Sequence, residues 1–361
     1  MTQAVTGGVG APQPVRFTGS GGEYFRIWIV NLALSILTLG IYSAWAKVRR
    51  MQYFYRNTEL AGASFDYHGE PVAILKGRLI ALVLLFAYQV APSVNPLLGL
   101  VVGLALAAIM PWLLLRSLKF RLHNTSYRGL RFGFNGRTGG AYRVFILWPF
   151  LTALTLYLLG PMWHQRLKAW QHGHSAFGGT QAAFEGKIRS FYRLYLGAVL
   201  LAAAVAVAIG VMLVLLVLKL QSGGLLDFGG NAPQPGQMRK IVLMGLFAVS
   251  MMIFLSLFVW PYVTARVQNL VWNNTRLGSH RFQSTVSARR LTWVALTNFL
   301  LVAVTLGLYK PFAAVRMART RLEAVALLPV GSLEEFMVAA EANVAAVGEE
   351  FGEFFDFDIA L

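Results

Sequence analysis

Thr38-Leu39-Gly40-Ile41-Tyr42, Leu158-Leu159-Gly160-Pro161-Met162 and Thr305-Leu306-Gly307-Leu308-Tyr309 are three copies of one short pattern. Each lies late in an uncharged stretch that begins just after an arginine and runs into a basic segment. A duplicated, membrane-inserted unit is the expectation that follows.

Composition supports it. Of the 361 residues, 57% are hydrophobic and only 13% charged, the balance of a chain dissolved in lipid rather than water. A hydrocarbon core about 30 Å thick needs roughly 20 apolar residues in helix. The longest uncharged runs, 27–46, 79–115 (broken by Pro92 and Pro96), 144–165, 194–218, 241–265 and 291–309, reach or approach that length, giving up to seven membrane segments. No positively charged leader or Ala-x-Ala site precedes or follows the first run, so a cleaved signal peptide is not expected. Cysteine is absent, which removes disulfides, thiol nucleophiles and thiolate metal sites.

The net charge of +17 is unevenly spread. No Lys or Arg follows Arg321, while nine carboxylates do, from Glu323 to Asp358. A basic body therefore carries an acidic tail. On a polytopic protein such loops reflect orientation and anionic headgroups, and nucleic acid is not an expected partner.

The flanks of the short pattern extend the repeat. His123-Asn124-Thr125-Ser126-Tyr127-Arg128-Gly129 aligns with Asn273-Asn274-Thr275-Arg276-Leu277-Gly278, and Arg56-Asn57-Thr58-Glu59-Leu60-Ala61-Gly62 is a third version. The organisation read from this is a flexible N-terminus (1–15), membrane unit one (16–131), membrane unit two (132–281), a half unit (282–322) and an acidic C-terminal tail (323–361). A helix is expected at 333–347 of the tail, with the option of folding back on the basic face of its own chain. The fold class is all-α and polytopic, tandem repeats of hydrophobic segments with short cytoplasmic β-like modules. Those modules share an aromatic-x-Gly signature, Phe17-Thr18-Gly19, Tyr67-His68-Gly69, Phe134-Asn135-Gly136 and Phe184-Glu185-Gly186. Alternation such as Phe65-Asp66-Tyr67 suggests short strands with tight turns, either paired at the membrane surface or left single.

Two topologies compete. Seven crossings divide the Lys and Arg residues 12 to 20 between the two sides, whereas four crossings with three dipping segments divide them 29 to 3. The positive-inside rule favours the second. Dipping backbone must be satisfied by protein or water, so the tips at Gly40, Tyr42, Gly160, Gly307 and Tyr309 are expected to be buried and to line any pathway. The alternative is an ordinary span with a glycine near its end.

Signatures of nucleotide binding, serine hydrolysis and zinc proteolysis are missing, and the six carboxylates before the tail all lie in polar segments. An enzyme is not expected, nor a cofactor. His164, His172 and His174 sit close in sequence, but without Cys or paired carboxylates no metal site is assigned. The Asn-Thr pairs 57–58, 124–125 and 274–275 suit helix C-terminal caps followed by a positive-φ glycine. Trp45, Lys47, Arg49 and Arg50 belong at the interface, where they anchor the chain or contact anionic lipid. Trp148-Pro149 and Trp260-Pro261 mark kinks.

The run Leu37-Thr38-Leu39-Gly40-Ile41-Tyr42-Ser43-Ala44-Trp45-Ala46-Lys47-Val48-Arg49-Arg50, with Phe17-Thr18-Gly19 and Arg56-Asn57-Thr58, resembles the YjgN-type family of uncharacterised bacterial inner-membrane proteins. The resemblance covers most of 17–322 and implies a multi-pass location in the bacterial inner membrane. It supplies no activity, substrate or catalytic residue, and Pro161-Met162 departs from the pattern. The function expected is a transporter or channel-like protein for an unidentified solute or lipid, with a non-transporting scaffold that binds lipid or a partner as the alternative. Oligomeric state is left open.

Overall fold

A computed structural model describes residues 10–222 and 235–348. The chain is not all-α. Among the described residues eleven strand segments form one antiparallel sheet. In chain order the elements are β1 (Gln13–Pro14), β2 (Arg16–Phe17), α1 (Gly21–Leu37), α2 (Ser43–Arg56), β3 (Thr58–Leu60), β4 (Ala63–Tyr67), α3 (Pro71–Val94), α4 (Pro96–His123), β5 (Thr125–Tyr127) and β6 (Leu130–Phe134). There follow α5 (Thr138–Tyr142), a π-helical turn (Arg143–Leu147), α6 (Trp148–Leu154), α7 (Gly160–Gly173), β7 (Ser175–Phe177), β8 (Thr180–Phe184) and α8 (Ile188–Ser222). The last are α9 (Pro235–Trp272), β9 (Thr275–Leu277), β10 (His280–Ser284), α10 (Ala288–Val304), α11 (Lys310–Leu322), β11 (Val325–Leu328) and α12 (Leu333–Gly348).

The sheet order begins at β1 and ends at β2, which are two halves of one stretch separated by Val15. Gln13 and Pro14 pair with Leu327 and Ala326, while Arg16 and Phe17 pair with Glu59 and Thr58. Residues 13–17, which include the end of the stretch expected to be a flexible N-terminus, therefore bridge both edges and close the sheet into a barrel, leaving no open edge to template aggregation; residues 1–9 of that expectation lie outside the described residues.

Strands of two to five residues carry too few alternations to outweigh the helical signal around them. Their partners are also distant in sequence, as with Tyr67 opposite Thr125 across α3 and α4. That is why pairing was not legible and why all-α is corrected here.

Neighbouring strands are joined alternately by a tight turn or a helical excursion. The turns 61–62, 128–129 and 178–179 place both residues at positive φ, from 46° to 80°, and Gly278 opens the fourth at 57°. This is the left-handed geometry that two-residue hairpins require. The other strand ends carry the helices, and each excursion that leaves the sheet returns to the adjacent strand.

The aromatic-x-Gly signature marks the exit from strand to helix. A Cβ at Gly19, Gly69, Gly136 or Gly186 would fall within 3.0 Å of the ring two residues earlier. Only glycine lets the aromatic side chain lie over the backbone. Where β10 leaves the sheet, Ser284 replaces the aromatic and Val286 the glycine, so both are lost together.

At the helix ends, Asn57, Asn124 and Asn274 donate Nδ2 to the carbonyls of Tyr53, Phe120 and Leu270, at 2.8, 2.9 and 2.7 Å. Thr58, Thr125 and Thr275 repeat the contact one residue later, to Phe54, Arg121 and Val271. Carbonyls that a helix end leaves free are thereby satisfied, and the Asn-Thr pairs act as caps.

Four described helical segments are long and apolar enough to cross a membrane: Pro71–Val94, Pro96–His123, Ile188–Met212 and Met251–Trp272. The other three excursions are shorter pairs. Their tips share hydrogen bonds: Gly40, Tyr157 and Gly307 donate N–H to Ser35, Thr152 and Val302, while Thr38, Thr155 and Thr305 hydroxyls accept from Tyr42, Leu159 and Tyr309. Gly160 is therefore not the counterpart of Gly40 and Gly307. It opens α7, and the second tip is Leu156-Tyr157. The equal Thr-to-Pro spacing, Thr155 to Pro161 and Thr305 to Pro311, fixes this register better than the shared Leu-Gly.

The π turn precedes Pro149, and Trp148 N–H reaches back to Arg143 rather than Val144. The released Val144 carbonyl accepts Trp163 Nε1 at 2.8 Å. The kink at Trp148-Pro149 is thus held in place by a side chain of α7.

Candidate functional site

The tips do not form a site. Leu39, Leu156 and Leu306 are 95%, 86% and 94% exposed, and a Cβ at Gly40 or Gly307 would meet nothing within 4 Å. Tyr42 and Tyr309 turn back toward the sheet, where their hydroxyls accept from Arg49 at 3.1 Å and Arg316 at 3.4 Å. The expectation that the tips are buried among the crossing helices is not met.

The basic residues of α2 separate into two groups. Lys47 and Arg50 line a cavity of about 1160 Å³ between the sheet and helices α1, α2, α9 and α11, whereas Trp45 and Arg49 do not. Trp45 packs beside Ala44 and Ile74 and stacks on Tyr42, which anchors α2. Arg78, Lys310 and Arg321 complete five cations around the space, and among the described residues no carboxylate lines it. These three come from the start of α3 and from α11, so sequence proximity could not collect them. The available signal was that each borders an apolar run.

Three of the cations are held by neutral groups. Arg78 donates to Ser43 Oγ. Arg321 Nε donates to Gln268 Oε1 at 2.9 Å, and Gln268 Nε2 donates back to the Arg321 carbonyl at 2.8 Å. Arg50 lies over the ring of Phe54, 5.9 Å from its centroid. Burial lowers the Lys47 pKa, and the charges of Arg78 and Arg121 lower it further. Burial likewise lowers Arg321. Positive charge is thus concentrated with no carboxylate on the lining among the described residues, an arrangement that favours an anion.

The wall toward the helices is mixed. Trp28, Leu32 and Met317 are apolar, while Asn31 and Ser35 place polar groups on α1. Asn31 is 6% exposed and its Oδ1 has no partner. Its counterpart on α10, Asn298, is satisfied, taking Arg316 Nη1 at 2.9 Å and donating to the Ala313 carbonyl at 3.2 Å. A buried amide oxygen without a partner is costly, so the unpaired Asn31 marks a place where a ligand donor would be welcome. The wall toward the sheet is apolar, with Val15, Leu60, Phe65, Phe282 and Leu327.

The histidines are engaged elsewhere. His164 Nδ1 is 2.9 Å from the Tyr195 hydroxyl, His172 Nδ1 is 3.4 Å from Thr275 Oγ1, and His174 Nδ1 is 2.9 Å from the Trp170 carbonyl. Burial, aided by Lys168, pushes His164 and His172 down to about 4. Three of the carboxylates before the tail serve the framework: Glu23 completes a capping box with Ser20, Asp66 pairs with Arg56 at 2.8 Å, and Glu185 with Arg276 at 2.8 Å.

Residues 12–354 match the family described as "Bacterial protein of unknown function (DUF898)". The chain belongs to this family. It is 26% identical over 340 residues to "Inner membrane protein YjgN" of Salmonella typhimurium, covering 82% of this chain and 83% of that one. It is 34% identical over 139 residues to the protein of the same name from Escherichia coli O157:H7, covering 38% and 35%. No solved structure matches. The family match takes in the whole described sheet from β1 to β11, and with it the cavity and α12. Relatives named as inner-membrane proteins accord with four helices able to cross a bilayer.

Proposed function

We propose that this is a multi-pass inner-membrane protein that binds an anionic amphiphile, a phospholipid of the cytoplasmic leaflet, in the cavity between sheet and helices. The observation that carries the reading is the cavity itself, with five cations, no carboxylate among the described residues, an apolar sheet wall and the unpaired Asn31 amide oxygen. A phosphate headgroup would meet Lys47, Arg78 and Arg321, and acyl chains would lie toward Trp28 and Leu32.

Membrane placement supports access from the cytoplasmic leaflet. In this reading the four long segments cross and the three short pairs dip and return, so the sheet stays on one side with 29 of the 32 basic residues. Exposed leucines at the tips suit burial in acyl chains, and the short pairs suit copies of one inserted unit. The lipid-binding reading takes precedence over transport of a free solute, because the apolar walls favour an amphiphile.

The test is retained lipid. Purified protein would be extracted and its bound phospholipid quantified by phosphate assay and native mass spectrometry. Wild type should retain stoichiometric phospholipid, and a Lys47→Ala, Arg78→Ala, Arg321→Ala combination should lose it. Equal retention by folded wild type and variant would sink the assignment.

A further inference from the structure

The apolar side chains that wall the cavity on the sheet side also meet α12. Leu60, Leu327, Phe65, Phe282 and Val15 belong both to the cavity lining and to the apolar cluster around α12. In that cluster Leu333, Phe336, Met337 and Ala340 of α12 meet residues drawn from around the barrel, including Tyr127, Leu130 and Phe177. The helix sits at the tight-turn end: Gly178 lies against Ala340 and Gly278 against Phe336. The membrane helices leave from the opposite strand ends.

The polar attachments of α12 lie in the link before it, where Val330 N–H donates to His280 Nδ1 at 3.2 Å, Ser279 Oγ donates to the Val330 carbonyl at 3.4 Å and Gly10 N–H donates to the Pro329 carbonyl at 2.9 Å. Ser332 Oγ caps the helix itself, accepting from Glu335 N–H at 3.3 Å. No ion pair ties α12 to the barrel among the described residues, although Glu334, Glu335 and Glu341 are exposed on it. The link 329–332 contains Gly331 at φ 80°, with nothing within 4 Å of the Cβ position. A helix held by one apolar face and a glycine link is the kind of element that opens below the cost of global unfolding.

Gly178 shows that the barrel makes room for the helix. Its counterparts in two other tight turns are Ala61 and Arg128, at φ 46° and 48°, so a side chain is tolerated at that turn position. At φ 52° Gly178 lies in the same φ range, but its Cβ would overlap that of Ala340. The glycine is required by α12 rather than by the turn.

We infer that α12 is a displaceable plug, which closes the barrel at its tight-turn end and, when released, joins the cationic cavity to the aqueous side. As regulation of the cavity this rests on the lipid reading above, but the plug itself stands on the packing alone. In the cysteine-free chain, a single Met337→Cys reports release, because Met337 is buried only while α12 is seated. Maleimide labelling of purified full-length protein should be slow in that background. It should rise about tenfold with Gly178→Ala, the order expected from overpacking one methyl group, while circular dichroism and thermal unfolding of the barrel stay near wild type. Adding Ala340→Gly should bring the rate back down. Equal labelling with and without Gly178→Ala, or Met337→Cys protected until the whole protein unfolds, would overturn the plug. Retained phospholipid is measured on the same samples. Released α12 with no lipid in any variant defeats the lipid reading and leaves the plug, whereas bound lipid with α12 never released defeats the plug alone.

Discussion

Arg321 and Gln268 exchange two hydrogen bonds across the cavity, Nε to Oε1 at 2.9 Å and Nε2 to the Arg321 carbonyl at 2.8 Å, tying α11 to α9. Gln268→Leu keeps the volume but removes the acceptor from Arg321, which is exposed and can turn to water instead. A loss of about 0.5–1.5 kcal/mol is expected, read as a lower unfolding temperature in detergent. An unchanged temperature would mean that water replaces Gln268 and that the pair does not organise the cavity.

The aromatic-x-Gly exits give a matched pair of substitutions. Gly136→Ala drives a methyl group into the ring of Phe134 and should cost about 1–3 kcal/mol. Gly139→Ala, three residues on in α5, meets nothing within 4 Å and should stabilise by about 0.5–1 kcal/mol. Denaturation of the two variants side by side checks the sign, and a neutral Gly136→Ala would contradict the ring-over-backbone account.

Topology is open to direct labelling because the chain has no cysteine. Ser64 and Ser279 are exposed on the sheet, and Ser222 is exposed at the far end of α8. A membrane-impermeant maleimide applied to the periplasmic face of spheroplasts should modify Ser222→Cys and spare Ser64→Cys and Ser279→Cys. Modification of either sheet position would require a different orientation or seven crossings.

Acid should weaken the fold through His164 and His172. Burial pushes both down to about 4, from a model-peptide value near 6.5. Between these values the unfolded chain binds more protons than the folded one, so stability rises with pH across that window. The contribution is complete above pH 6.5 and is lost as pH falls toward 4. Unfolding temperatures from pH 7.5 to 4 should show the decline, and a His164→Gln, His172→Gln variant should show a shallower one; identical slopes would assign the acid sensitivity elsewhere.

Much local structure was legible in the residues. The helix expected at 333–347 is Leu333–Gly348, the Asn-Thr pairs cap helices, and the aromatic-x-Gly triplets close strands. Each depends on atoms within about four residues of one another. The tip register was misread because Leu159-Gly160 repeats the letters of Leu39-Gly40, whereas the hydrogen bonds follow Thr155. Of the interfacial residues singled out, Lys47 and Arg50 line the cavity, because a basic residue at a membrane boundary can face either lipid or protein.

By itself the sequence indicated a membrane protein, the capped ends of several helices, a helix in the tail and an uneven spread of charge. Hydropathy, capping and charge count act over one turn or one loop, so they are written in consecutive residues. Only the tertiary structure decided that strands of two to five residues close into a barrel, that Arg78, Lys310 and Arg321 meet Lys47 and Arg50, and that α12 seats on Gly178. Those contacts join residues up to about 300 positions apart, as where Arg319 donates to the Gly19 carbonyl at 2.8 Å. Such pairings depend on how the helical excursions return their ends to neighbouring places, which no local pattern encodes.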